Sequence, residues 1–95
     1  MQYLVIAYDY DGVLEKRMEA RPAHVEATQK LMSEGKIESA CAMIEEDAMV
    51  GSTVLTNFEN EDELNEWLEN EPYVKGGVWN MEEIQIVPIK IMPKA

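Results

Sequence analysis

The sequence predicts an α+β fold in which a four-stranded antiparallel sheet carries two helices on one face. Apolar residues follow strand and helix periods in the order β-α-β-β-α-β. The two middle strands are joined by a short acidic linker, Glu45–Met49, which suits an antiparallel hairpin. Right-handed crossovers then place both helices on the same face of the sheet. This is the split βαβ, or ferredoxin-like, arrangement, and we expect residues 1–95 to form one domain.

The first strand is predicted over Gln2–Tyr10, where a turn signal follows, with Asp9, Asp11 and Gly12 close together. Both faces of its alternating pattern are apolar: Tyr3, Val5 and Ala7 form one, and Leu4, Ile6 and Tyr8 form the other. Such a strand is typical of the centre of a sheet that is covered on both sides.

The first helical region is predicted in two pieces because a proline interrupts it. Residues 13–20 form a short helical turn, and Arg21 is disfavoured in the α conformation because it precedes Pro22. Pro22 suits the first position of a new helix, which runs to about Ser33 and stops at Gly35. His24 shares an apolar stripe of this helix and should face inward or into a cleft.

Two further strands are predicted over residues 37–44 and 51–58, followed by a second helix. Asn60 and Glu63 resemble a capping box at the start of that helix. Its apolar seam has helical spacing: Leu64, Trp67 and Leu68. Beyond it, one helical turn begins at Glu71-Pro72 and ends at Gly76-Gly77.

The last strand is predicted over residues 82–92 and should lie at an edge of the sheet, because Pro88 cannot donate to a ladder. The first and last strands are apolar on both faces, yet two helices can cover only one face. We therefore expect a second copy of the chain to cover the other, which makes a homodimer through the sheet face.

The charge balance excludes several classes of partner. The 95 residues hold 8 basic and 19 acidic side chains, a net charge of −11. We expect no binding to nucleic acid or to anionic membrane surfaces, which need clustered Lys and Arg.

The one cysteine, Cys41, permits no internal disulfide and is predicted to be a small buried hydrophobic residue. With no apolar run of 18 residues, a cytoplasmic protein is expected.

A few side chains are candidates for chemistry. His24, the one histidine, could be a general acid/base or a histidine satisfied within the core. Arg17 and Arg21 could bind an anionic or enol-type substrate, or pair with surface acids. Ser52 could supply a hydroxyl or be a turn residue. We expect no metal site, because one histidine and scattered carboxylates give no ligand spacing.

Several motifs in the order of this chain resemble the YCII-related (YciI-like) family. They are Arg17-x3-Arg21-Pro22-x-His24, Glu34-Gly35-Lys36, Gly51-Ser52, and Glu71-Pro72-Tyr73-Val74-x-x-Gly77. The resemblance implies a dimeric α/β barrel of ferredoxin-like protomers. It also implies a site in which the helix histidine pairs with the acid of an Asp-Pro-Tyr segment. Those roles fall on His24 and Glu71, and this chain has Glu where the family usually has Asp.

The function expected from this resemblance is a small enzyme without a cofactor that acts on a small organic molecule, such as an aromatic or anionic one. His24 would move a proton and Glu71 would orient it, while Arg17, Arg21, Ser52 and Tyr73 would bind substrate. Isomerisation, elimination and lactone-type chemistry all fit a lone acid/base. The alternative is a non-catalytic binding module, or a dimeric assembly module, that uses the same fold.

Overall fold

The structure, a computed structural model, describes residues 1–94. Seven elements follow one another along the chain: β1 (Gln2–Tyr8), α1 (Leu14–Ser33), β2 (Ile37–Glu45), β3 (Ala48–Asn57), α2 (Glu61–Asn70), α3 (Pro72–Lys75) and β4 (Gln85–Pro88). The four strands form one antiparallel sheet in the order β2-β3-β1-β4. The predicted α+β, ferredoxin-like arrangement with a central β1 is confirmed.

The two faces of β1 differ in the single chain. Tyr3, Val5 and Ala7 are buried under the helices, where they join the core formed with β3, α2 and the segment after α3. Leu4 and Ile6 are only half-buried and Tyr8 is 47% exposed. The register places Leu4 beside Leu55 of β3 and beside Val87 of β4. We call the face that carries Leu4, Ile6, Leu55 and Val87 the open face of the sheet.

The first helical region is one helix, so the predicted break before Pro22 is wrong. α1 runs through Pro22 without interruption for 20 residues. Pro22 removes the hydrogen bond that residue 22 would donate to the Met18 carbonyl, but both residues lie on the exposed side of α1. Water can therefore replace the missing donor. The helix ends where predicted, at Ser33, with Gly35 at a φ of +76°.

The β2–β3 hairpin is tighter than predicted. Its strands extend to Glu45 and from Ala48, so the connection is Glu46 and Asp47 alone. Both residues have positive φ, 49° and 65°, as the mirror-image type I′ turn requires. Gly51, next along β3, packs closely on β1, where an added Cβ would lie 2.7 Å from the Ala7 carbonyl oxygen.

The last strand is shorter than predicted. β4 pairs with β1 only over Gln85–Pro88, not over residues 82–92. Pro88 ends the regular ladder because it has no N–H to donate. The Ile89 N–H still bonds to the Gln2 carbonyl at 3.1 Å, so the chain continues alongside β1. The edge position predicted from Pro88 is confirmed.

The second helix begins at the predicted cap. Asn60 Oδ1 accepts a hydrogen bond from the Glu63 N–H at 2.9 Å, and Glu63 Oε1 accepts one from the Glu59 N–H at 3.1 Å. The predicted seam of Leu64, Trp67 and Leu68 is buried. α3 begins at Pro72 and ends before Gly76, as expected.

Cys41 is exposed, so its predicted burial is wrong. It lies on edge strand β2 opposite Thr53, which itself pairs with Ile6, and this register places its side chain on the open face. No helix within residues 1–94 is long and apolar enough to cross a membrane.

Candidate active site

Helix α1 turns a polar stripe toward the sheet. Arg17, Arg21, His24 and Thr28 recur at helical spacing and therefore share one side of the helix. The two buried residues of α1 are Arg17 and Thr28, both polar. A helix that only supported the fold would bury an apolar stripe here instead. The inward polar side chains therefore indicate a site.

The centre of this site is a close contact between His24 and Glu71. His24 Nδ1 lies 2.6 Å from Glu71 Oε1, and the side chains are 12% and 1% exposed. Glu71 Oε1 also accepts the Tyr73 N–H at 3.1 Å, which caps α3. With Nδ1 donating to the carboxylate, Nε2 is the ring nitrogen left to exchange a proton with a ligand. Glu71, although longer than Asp, reaches the histidine.

Aromatic rings hold the His24 imidazole. Its ring stacks on Tyr73, with centroids 4.0 Å apart and planes 16° apart, and it meets Trp79 edge-on at 6.1 Å. Burial raises the pKa of the Tyr73 hydroxyl, against the opposing effect of the arginines Arg17 and Arg21. Tyr73 is therefore a neutral phenol at physiological pH and able to donate a hydrogen bond.

Arg17 is fixed beneath these rings. Its Nη1 donates to both carboxylate oxygens of Asp9, at 2.9 and 3.0 Å, and its Nη2 donates to Ser52 Oγ at 2.9 Å. Its Cζ lies 4.6 Å from the centroid of the Tyr73 ring, within the range of a cation–π interaction. Ser52 Oγ also accepts from Trp79 Nε1 at 3.2 Å. Arg17 and Ser52 are therefore already engaged with protein groups.

A cavity of about 190 Å³ lies between α1 and the sheet. Five of the six residues predicted for the site line it, and Glu71 lies behind His24: the five are Arg17, Arg21, His24, Ser52 and Tyr73. Arg21 is exposed and takes part in no salt bridge within the described chain. It is thus the cation available to a ligand.

Three contributors were missed from the sequence: Asp9, Trp79 and Thr28. Asp9 looked like part of a turn after β1, and burial raises its pKa while Arg17 opposes that rise. The signal available was the need of a buried arginine for a counter-ion. The sequence does not say which of the 19 acids supplies it.

Within residues 1–94, no group of three or more His, Cys, Asp or Glu side chains is arranged to hold a metal ion.

The fold and the site together define a class: a ferredoxin-like domain with a histidine–carboxylate pair at a cavity under its long helix. The chain belongs to the YCII-related domain family, whose sequence model matches residues 1–90. Protein YciI of Escherichia coli and that of Shigella flexneri are each 35% identical to it over 97 residues. These alignments cover 95% of this chain and 97% of each relative. A Haemophilus influenzae protein is 31% identical with the same coverage.

A solved structure shares the fold. The 5-chloro-2-hydroxyhydroquinone dehydrochlorinase TftG of Burkholderia phenoliruptrix AC1100, in complex with 2,5-dihydroxybenzoquinone, superposes with a TM-score of 0.81. The match covers 95% of this chain and 94% of that one, at 24% identity. At this identity the likeness establishes the fold.

Proposed function

We propose that this protein is a small acid/base enzyme whose proton-transferring group is His24. The observation that carries the proposal is the 2.6 Å contact of His24 Nδ1 with the buried Glu71 carboxylate, at the wall of a cavity. A carboxylate on one ring nitrogen orients the imidazole and fixes its tautomer, so the other nitrogen can take and return a proton.

The surrounding charges favour a substrate that becomes negative on oxygen. Arg21 is the unpaired cation of the cavity, and the neutral Tyr73 hydroxyl is a second donor. In the proposed reaction, His24 Nε2 takes a proton from an O–H or acidic C–H, and the electron pair left behind forms an enolate or phenolate oxygen that Arg21 stabilises. The proton then returns at another atom, which is isomerisation, or a leaving group departs with its electron pair, which is elimination.

The dimensions of the cavity restrict the substrate. At about 190 Å³ it is smaller than the roughly 300–1,000 Å³ of pockets for drug-sized molecules. The structural neighbour TftG acts, by its name, on a chlorinated hydroxyhydroquinone and was solved with a dihydroxybenzoquinone. We propose a substrate of the same size and chemistry for this chain: a single hydroxylated ring, or an enolisable acid. Arg17 and Ser52, engaged with Asp9 and Trp79, would shape the floor of the cavity beneath it.

The test compares turnover of chlorinated hydroxyhydroquinones, followed by chloride release and quinone absorbance, in the wild type and three variants. His24→Ala should reduce kcat/KM by roughly 100-fold or more, the range of general acid/base catalysis. Glu71→Gln should reduce it by less, since the imidazole remains. The matched control is Glu69→Gln, an exposed acid two residues away on α2, which should leave turnover unchanged.

Unchanged turnover in His24→Ala would remove the proposed role. If the wild type binds 2,5-dihydroxybenzoquinone but converts none of these substrates, the non-catalytic binding module becomes the better description of the same cavity.

We also propose that the protein is a homodimer joined through the open face. Leu4, Ile6, Leu55 and Val87 place apolar side chains on this face, opposite the helices. The accessible surface is 6258 Å², whereas a folded monomer of this mass should expose about 5,600 Å². The single chain therefore exposes more surface than is usual for a monomer of its mass.

A further inference from the structure

The cavity continues past His24 along helix α1, away from both arginines. Four residues of α1 line this part: Val25, Thr28, Gln29 and Met32. At about 1.5 Å per residue, the eight positions from His24 to Met32 span roughly 12 Å. The cavity is therefore longer than the group that contacts His24 and Arg21.

The chemistry of this distal part differs from that around His24. The sheet contributes small apolar side chains, Ala40 and Val54, and no charged side chain among the lining residues lies beyond His24. An ionised group would gain nothing here, because burial without a partner charge is costly. A neutral substituent fits.

Two residues of this wall are polar: Gln29, which is exposed, and Thr28, which is buried. The residue is 6% exposed, and its hydroxyl is buried with no hydrogen-bond partner in the described part of the chain. Threonine in a helix often donates to the carbonyl four residues back, but Thr28 does not do so here. A buried hydroxyl without a partner costs stability, so its presence here needs a reason.

We propose that Thr28 forms a second subsite, which binds a short neutral substituent with a hydrogen-bond acceptor, such as an ether or carbonyl oxygen. The inference rests on the proposed function, since the ring that bears this substituent would occupy the part of the cavity at His24 and Arg21. The substituent lies along Val25 and Val54. Rotation of the Thr28 side chain about its Cα–Cβ bond turns Oγ1 from its buried position toward the cavity, where it donates to the oxygen of the substituent. Met32, which is 40% exposed, is a flexible side chain that can move to admit it.

The small total volume limits the length of the substituent. A ring and a chain of two or three atoms would fill about 190 Å³ of space. Thr28 is thus a specificity-determining residue, which separates ring substrates by a polar substituent distant from the reacting atoms.

The test is a binding experiment with three probes: 2,5-dihydroxybenzoquinone, its 3-methoxy derivative and its 3-ethyl derivative. The methoxy and ethyl substituents are similar in size, but only the methoxy group has an oxygen that can accept a hydrogen bond. Dissociation constants are measured by calorimetry for the wild type and for Thr28→Val, which replaces the hydroxyl by a methyl group. The wild type should prefer methoxy to ethyl by roughly fivefold, the value of one neutral hydrogen bond. Thr28→Val should lose or reverse that preference.

Thr53→Val is the matched control. Thr53 lies on the other face of β3, opposite Cys41, and does not line the cavity, so its variant should keep the methoxy preference. Binding of the unsubstituted ring without a methoxy preference, or with one that survives in Thr28→Val, would overturn the subsite alone. Failure of all three probes to bind the wild type would overturn the proposed function and the subsite together.

Discussion

Glu71 does two things with one carboxylate oxygen. Oε1 caps α3 through the Tyr73 N–H and accepts from His24 Nδ1. The hydrogen bond from the Tyr73 N–H fixes the position of the Glu71 carboxylate, so that its oxygen lies within hydrogen-bond distance of His24 Nδ1. The contact with His24 is therefore made although the side chain of Glu is one methylene longer than that of Asp.

Asp9 is the residue whose titration should be visible in the stability of the protein. Burial raises its pKa above the ordinary value of 3.8 in the folded state. A group with a raised folded pKa contributes stability that is fully present below the unfolded pKa and is lost as the pH rises through the folded pKa. The unfolding free energy of the wild type relative to Asp9→Asn should therefore increase as the pH falls from neutral toward 3.8.

Urea unfolding at a series of pH values measures this difference. The matched control is Asp11→Asn, which neutralises an exposed carboxyl two residues later in the chain. If the unfolding free energy of the wild type relative to Asp9→Asn decreased as the pH fell, the ion pair with Arg17, rather than burial, would have the larger effect on the pKa of Asp9.

At the scale of elements, the polar stripe of α1 makes this helix contribute less to the stability of the fold than an apolar stripe would. It buries Arg17 and Thr28 where a structural helix would bury Leu or Val, and it carries Pro22 in its interior. The sheet, the aromatic rings and the α2 seam supply the apolar burial that α1 does not. Sequence periodicity therefore predicted the buried seam of α2 and the inward position of His24, but it did not predict that α1 buries polar residues.

The β2–β3 turn should be easy to stabilise. Glu46 adopts the left-handed conformation that costs an ordinary L-residue roughly 1–2 kcal/mol, and Asp47 adopts it at a smaller cost. Asn-Gly is the preferred pair for a type I′ turn. Replacing both residues by Asn-Gly should raise the unfolding free energy by about 1 kcal/mol or more. Chemical denaturation of the double variant measures this.

The control for that variant is Glu46→Gln with Asp47→Asn, which removes the same two charges and adds no glycine. If this pair stabilises the protein as much as Asn-Gly does, relief of charge repulsion, and not turn conformation, is the cause.

At the scale of the whole molecule, the open face should decide the oligomeric state. The wild type should sediment at twice the mass of the chain at micromolar concentration, because an apolar sheet face of this size is rarely left to water. Leu55→Glu, which places a charge on that face, should give a monomer. Leu14→Glu changes an exposed leucine at the start of α1, away from the face, and should remain dimeric. A monodisperse wild-type monomer would contradict the dimer.

The sequence alone determined the order of the elements, the central place of β1, the edge place of β4 and the start of α2. Each depends on local information: hydrophobic period, a cap, or a proline that cannot donate. It did not reveal the continuity of α1 through Pro22, because whether a broken helical hydrogen bond is tolerated depends on its exposure in the fold. It did not show that Cys41 lies on the open face, because a strand residue's face depends on the register of its neighbours.

For the site, the motif resemblance brought His24 and Glu71 forward, but only the tertiary structure decided which groups meet. Asp9 and Arg17 are eight residues apart, Ser52 and Trp79 are twenty-seven apart, and His24 and Glu71 are forty-seven apart. Buried polar groups find hydrogen-bond partners that are close in the fold and can be distant in the sequence. With 19 acidic residues, the sequence offers many candidate partners for each cation. In the folded chain Asp9 pairs with Arg17, Arg21 stays exposed at the cavity, and the Thr28 hydroxyl is buried without a partner in the described residues. Burial and strand register, rather than residue type, determine these contacts.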